Sequence, residues 1–123
     1  MPSYTMNHVH HEAVDVAAAA DWYIQLFGGN PDEPFEKDGA TWQRVHVGPI
    51  TFTITNRASS GPAVERFLGY DHLGIESDDF DATIAKAEEM GVNIYAGPMD
   101  AGGFRIAFIS GPDNVKIELM EKS

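Results

Sequence analysis

The sequence predicts an α+β fold: two tandem βαβββ modules whose mixed sheets curl around a central cavity. Three observations carry this. The order of structural signals repeats, with His8 falling over His72, Asp15 over Asp79 and Gly48-Pro49 over Gly111-Pro112. Each half holds one helix-length apolar stripe between an aspartate and a glycine. Each half then closes with two extended apolar runs around a Gly-Pro turn.

In the first half, Asn7–Val14 is a short extended run. Asp15 follows as an N-cap, its carboxylate able to accept the orphan N–H groups of a helix start. The helix runs through Ala17–Ala20 to Trp22, Tyr23, Leu26 and Phe27, with core aromatics on one stripe, and Gly28-Gly29 ends it. Thr41–Val47 and Ile50–Thr55 form a hairpin across Gly48-Pro49. In the second half, Tyr70–Glu76 is the strand, Asp78 or Asp79 caps a helix with the stripe Phe80, Ile84, Ala87, and Gly91 ends it. Phe104–Ile109 and Val115–Met120 form the second hairpin, around Gly111-Pro112-Asp113-Asn114. The expected organisation is therefore one domain of two modules, about 4–57 and 70–122, joined by a linker at 58–69 that includes Ala58-Ser59-Ser60-Gly61-Pro62.

A chain of 123 residues and 13.4 kDa is the size of one domain and long enough to bury a core. Eight Lys and Arg against 19 Asp and Glu give a net charge of −11. That charge repels phosphate backbones and anionic bilayers, so neither nucleic acid nor a membrane surface is an expected partner. The absence of cysteine excludes disulfides, thiolate metal sites and cysteine nucleophiles. No apolar run approaches the ~20 residues of a membrane span. Met1-Pro2-Ser3-Tyr4-Thr5 shows no basic or signal-like stretch, so a cytoplasmic protein is expected.

Strand alternation decides which side chains share a face. The helix-facing positions must be apolar: Val9, Leu73 and Ile75; Ile50, Phe52 and Ile54; Val115, Ile117 and Leu119. The opposite faces then carry His8, His10 and Glu12; Thr51, Thr53 and Thr55; His72, Gly74 and Glu76; and Lys116, Glu118 and Met120. A two-residue turn at Gly48-Pro49 sets His46 opposite Thr51 and Arg44 opposite Thr53, which turns His46 onto the same polar face. His11 points to the helix side or the strand edge and reads as structural. Arg44 and Arg105 read as salt-bridge partners before they read as holders of an anionic substrate, and Trp42 and Tyr95 are unranked candidates for a pocket wall.

Three stretches resemble the vicinal oxygen chelate superfamily, which includes glyoxalase I, fosfomycin-resistance proteins, extradiol dioxygenases and bleomycin-resistance proteins. They are His8-Val9 with Asp15 and Trp22-Tyr23-x-x-Leu26-Phe27-Gly28; Asp71-His72-Leu73-Gly74-Ile75-Glu76 with Met90-Gly91-Val92; and Gly111-Pro112-Asp113-Asn114-Val115-Lys116-Ile117-Glu118-Leu119. The resemblance implies a divalent metal ion (Fe, Mn, Ni or Zn) held by His8, His72 and Glu118. The fourth ligand position falls on Thr53, where glyoxalase I enzymes usually have a carboxylate; either Thr53 or His46 completes the shell. Two histidines and a carboxylate with open positions suit Lewis-acid or oxygen chemistry on neighbouring substrate oxygens. His10 or His46 would move protons.

The resemblance further implies a small-molecule substrate and a homodimer with its sites at or near the interface, or one site built within a single chain. The expected function is a metal-dependent isomerase, lyase or ring-cleaving dioxygenase. The rival is a metal-free binding protein of the bleomycin-resistance type, with an epimerase-like enzyme as a third possibility. No loop like the potassium site of fosfomycin-resistance enzymes is apparent around Met99–Gly103, and no basic cluster for glutathione stands out.

Overall fold

The computed structural model describes Ser3, residues 5–57 and residues 70–123. The expected linker at 58–69 lies outside them. The chain divides into two compact units, Met1–Gly61 and Pro62–Ser123.

The first unit opens with strand β1 (Val9–Glu12) and helix α1 (Val16–Phe27). Asp15 caps the helix as the sequence requires, its side chain accepting from Ala18 N at 3.0 Å, and Gly28 ends it at φ 65°. The edge of the sheet is a broken strand, β2 (Asn30–Pro31) and β3 (Phe35–Lys37), both paired with β4 (Ala40–Val47). Strand β5 (Ile50–Thr55) is central, antiparallel to β4 and parallel to β1. The three strands expected after each helix are thus present here with the first one split in two.

The helix-facing side holds the core. Val16, Ala19, Ala20, Tyr23 and Leu26 of α1 are buried, as are Val45, Phe52 and Ile54. Tyr23 stacks on Phe52 with ring centroids 4.2 Å apart, an arrangement that adds to the roughly 1.5–3 kcal/mol of burying such a ring. Trp22 and Phe27 are half-buried and meet Tyr23 and each other as rings. His11 is buried on this side, its Nδ1 2.9 Å from the Tyr23 hydroxyl, as its parity demands.

The second unit repeats the plan: β6 (Leu73–Glu76), α2 (Phe80–Glu89), β7 (Ile94–Ala101), β8 (Phe104–Ser110), a 3-10 turn (Pro112–Asn114) and β9 (Lys116–Lys122). The sheet order is β6-β9-β8-β7, parallel between β6 and β9 and antiparallel elsewhere. Asp79, not Asp78, is the cap, accepting from Ala82 N at 3.0 Å. Phe80, Ile84 and Ala87 form the buried stripe, over Ile109, Ile117 and Leu119. The ladders align the two copies directly. Val9 pairs with Phe52 where Leu73 pairs with Ile117, and Val45 pairs with Phe52 where Ile109 pairs with Ile117. Both sheets are mixed and neither closes on itself.

Gly29 shows how tightly α1 lies on its sheet. A Cβ built there would stand 2.5 Å from Val45 Cγ1, and Val45 is fully buried with nowhere to retreat. Gly29→Ala is expected to destabilise the protein by about 1–3 kcal/mol through overpacking, read as a lower urea midpoint at unchanged slope.

Candidate active site

In the first unit, the face of β1, β5 and β4 turned away from α1 is a grid of side chains. The central strand contributes Thr51, Thr53 and Thr55. Across β4 these pair with His46, Arg44 and Trp42; across β1, Thr53 and Thr55 pair with His10 and Glu12. His8 precedes Val9 and so extends the same face. The register that the Gly48-Pro49 turn implies is therefore the one formed, and His46 does share the polar face.

Threonine is short and its neighbours are long, so the threonine row is a floor between two walls. The result is a cavity of about 520 Å³, lined by His8, His10, Arg44, His46, Thr51 and Thr53 among others. Trp42, unranked in the sequence, lines it too, and so does Arg57. Lys37 and Arg57 lie 5.7 and 5.2 Å from the Trp42 ring centre, and the indole Nε1 is buried with no hydrogen-bond partner among the described residues.

Both candidate proton-moving histidines are backed by carboxylates. His46 places Nε2 3.1 Å from Asp32 Oδ2 and Nδ1 3.0 Å from the Thr51 hydroxyl. His10 places Nε2 2.8 Å from both Glu12 Oε1 and the Thr55 hydroxyl, and Thr55 itself donates to Glu12 at 2.6 Å. Such pairing fixes the orientation of each ring.

In the second unit the corresponding grid has different contents. Glu118 is central, flanked by Gly74 on β6 and Phe108 on β8. The missing side chain at Gly74 leaves room beside the carboxylate. His72, immediately before β6, reaches it: Nε2 lies 3.1 Å from Glu118 Oε1. Its Nδ1 lies 2.9 Å from Asp71 Oδ2, and its ring meets Phe108 edge-on at 5.2 Å. Asp71 is the main reason that the His72 pKa is raised; partial burial opposes it, and Glu118 adds to the rise.

The pair fits a divalent metal. Two ligands about 2.1 Å from one ion and at right angles stand roughly 3.0 Å apart, close to the observed separation. Asp71 behind Nδ1 supplies the outer-shell carboxylate that orients a ligating imidazole. The first copy has a carboxamide oxygen in the matching place: His8 Nδ1 lies 2.8 Å from Asn7 Oδ1, which leaves Nε2 as the other ring nitrogen. Among the described residues, no group of three or more His, Asp or Glu stands ready to hold a metal. The structure thus unites His72 with Glu118 in one unit, and His8, His10 and His46 around one cavity in the other.

The orienting partners Asn7, Asp71 and Asp32 were missed in the sequence. A polar residue directly before the histidine in both repeats was the available signal for the first two. Asp32 follows a two-residue edge strand that no periodicity marks. The expectation that both arginines are ion-paired holds for Arg105, whose Nη1 is 3.0 Å from Asp81. Arg44 instead has no ion pair among the described residues.

The chain belongs to the Glyoxalase/Bleomycin resistance protein/Dioxygenase superfamily, whose family model matches residues 5–119. Among curated relatives, it is 28% identical to the lactoylglutathione lyase of Escherichia coli O157:H7, over 88% of this chain and 85% of that protein. It is 25% identical to the lactoylglutathione lyase GLX1 of Arabidopsis thaliana over 94% of this chain but only 43% of that protein, so it spans less than half of that relative. Among solved structures, a glyoxylase/bleomycin resistance protein/dioxygenase domain from Frankia sp. EAN1pec superposes with a TM-score of 0.87 at 15% identity, covering 99% of this chain and all of that one. The antibiotic binding protein TnmS3 from Streptomyces sp. CB03234 superposes with a TM-score of 0.79 at 21% identity, covering 100% of this chain and 99% of that one. No helix among the described residues is long and apolar enough to cross a membrane.

A histidine pKa raised by folding stabilises the metal-free protein below the unfolded value of about 6.5, and that contribution is lost as pH rises through the folded pKa. NMR titration of the metal-free protein should place His72 above 6.5, and Asp71→Asn should move it down. The stability lost in that variant should be larger at about pH 6 than at pH 8.

Proposed function

We propose that the protein is a divalent-metal-dependent enzyme of the glyoxalase superfamily, acting on a small molecule that chelates the metal through two neighbouring oxygens. The observation that carries this reading is the His72–Glu118 pair, with donor atoms 3.1 Å apart and Asp71 fixing the imidazole from behind. His8, His72 and Glu118 are the proposed ligands, of the Fe, Mn, Ni or Zn class that imidazole and carboxylate suit. Thr53 or His46 stands at the remaining position. The bound metal would act as a Lewis acid that stabilises negative charge developing on the substrate oxygens.

The protein's own groups supply the rest. His10, held by Glu12, or His46, held by Asp32, would take a proton from the substrate and return it, His46 only by exchanging its contact with Thr51 for one with the substrate. The Thr51 hydroxyl holds the second nitrogen of His46 and so fixes its ring plane. Asp71 and Asn7 keep the Nδ1 atoms of His72 and His8 engaged, which leaves each Nε2 as the nitrogen that would bind the metal. Lyase or isomerase chemistry is favoured by the curated relatives named lactoylglutathione lyase, with ring-cleaving dioxygenation as the other outcome. The proposed state is a cytoplasmic homodimer in which His8 of one copy serves the site of the other.

A second reading has its own support. Thr53 takes the ladder position in the first unit that Glu118 takes in the second, so one copy lacks the carboxylate. A metal-free small-molecule binding protein would need neither ligand.

Metal analysis of protein purified without chelator separates the two. About one divalent ion per chain is expected, lost in both His72→Ala and Glu118→Ala. The ion's identity then distinguishes iron-based oxygen chemistry from Lewis-acid chemistry. A wild-type protein that takes up no Fe(II), Mn(II), Ni(II) or Zn(II) on reconstitution would overturn the enzyme reading in favour of the binding protein.

A further inference from the structure

The cavity of the first unit has a chemistry that metal binding does not require. Two of the chain's eight Lys and Arg, Arg44 and Arg57, line it, whereas no Asp or Glu among the described residues does. In a chain of net charge −11, Arg57 is offset by Glu12 at 3.4 Å, which leaves Arg44 as the lining cation with no ion pair among the described residues. The nearest carboxylates are already engaged. Glu12 holds His10 and Arg57, at 2.8 and 3.4 Å, and Asp32 holds His46 at 3.1 Å. Arg44 is different. Its guanidinium lies 5.5 Å from the Phe35 ring centre and has no ion pair or side-chain hydrogen bond among the described residues. Contact with a ring uses the charge of a guanidinium but not its five N–H donors.

The fold does not force a cation there. The same ladder position in the second unit is Phe108, opposite Glu118, where Arg44 is opposite Thr53. One copy of the grid thus carries a carboxylate beside an aromatic ring, and the other carries, beside a threonine floor, a guanidinium with no ion pair among the described residues. The volume, about 520 Å³, suits a small organic molecule.

We propose that this groove recognises an organic oxyanion, a carboxylate or phosphonate, with Arg44 as its principal contact and the Thr53 hydroxyl beneath it. The proposal deepens the function above by naming the substrate class as anionic, and rests on that reading only in taking the bound molecule for the substrate. Arg44 presents a planar fork of donors that matches two oxygens of one anionic group. His8 lines the same cavity, so an anion held at Arg44 lies alongside a proposed metal ligand.

The test uses chelator-treated protein, so that its failure is separable from failure of the metal site. Benzoate, phenylphosphonate and the neutral control benzyl alcohol are titrated by calorimetry. Saturable binding of at least one anion and none of the alcohol is expected. Arg44→Gln should weaken anion binding at least about tenfold, the range of a lost charge-assisted hydrogen bond. Arg44→Lys should recover part of it, and Arg105→Gln, which removes a guanidinium already paired with Asp81, should change nothing. In the wild type, the anion should shift the imidazole NMR signals of His8, His10 and His46 and leave those of His72 and the buried His11 in place. This reading stands even if Arg44→Gln folds poorly. Equal binding of alcohol and anion, no saturable binding, unchanged affinity in a folded Arg44→Gln, or shifts confined to His72 would each overturn the proposal.

Discussion

The register of the central strand in each sheet is the constraint on which the rest depends. Strand β5 is paired on both sides, and its residues alternate between the α1 core and the open face. Phe52 and Ile54 are fully buried on one side; Thr51 and Thr53 floor the cavity on the other. A slip of one residue would put threonines against Tyr23 and drive Phe52 into the groove, so burial of the core holds the polar face in alignment. Strand β9 has the same role in the second unit, where Ile117 and Leu119 lock Glu118 outward. The positions of the candidate site residues are thus consequences of hydrophobic packing on the far side of the same strands.

This dependence explains what the sequence made legible. The helix-facing positions are apolar at every second residue over Ile50–Ile54 and Val115–Leu119, and a Gly-Pro turn of two residues leaves little freedom in the β4–β5 pairing, so His46 and Arg44 could be placed from spacing alone. The helices announced themselves by an aspartate cap, a stripe and a glycine stop. What stayed hidden has few apolar contacts to reveal it. Asp32 follows a two-residue edge strand, the β7 edge has register shifts between Ile94 and Met99, and neither shows a period. Carboxylates that orient histidines were also invisible, because a surface aspartate beside a histidine looks like any solvated charge until the ring is seen to turn towards it.

The internal repeat shows how one backbone plan carries two electrostatic characters. The helix-facing residues of the two copies are interchangeable in kind: Phe52 for Ile117, Val45 for Ile109, Tyr23 for the Phe80–Ile84 stripe. The outward positions are not. Thr53, His10 and Arg44 in one copy answer to Glu118, Gly74 and Phe108 in the other. Core positions answer to packing, which both copies share, and outward positions answer to whatever chemistry each face performs. Reading the repeat for its differences therefore locates function better than reading it for its similarities.

The threonine row has a consequence for how such a protein changes over time. Threonine is at home in a central strand because its branched Cβ suits the pleat. The threonine floor therefore suits the strand backbone, and its height above the sheet is open to selection one atom at a time. A serine would deepen the groove, a valine would dry it, and a glutamate, as the other copy displays, would fill it. Each of these exchanges leaves Phe52 and Ile54 pressed against α1. The fold thus keeps the depth and wetness of its recognition surface on a separate account from its stability, and a lineage built on it can alter what it accepts without first loosening what holds it together.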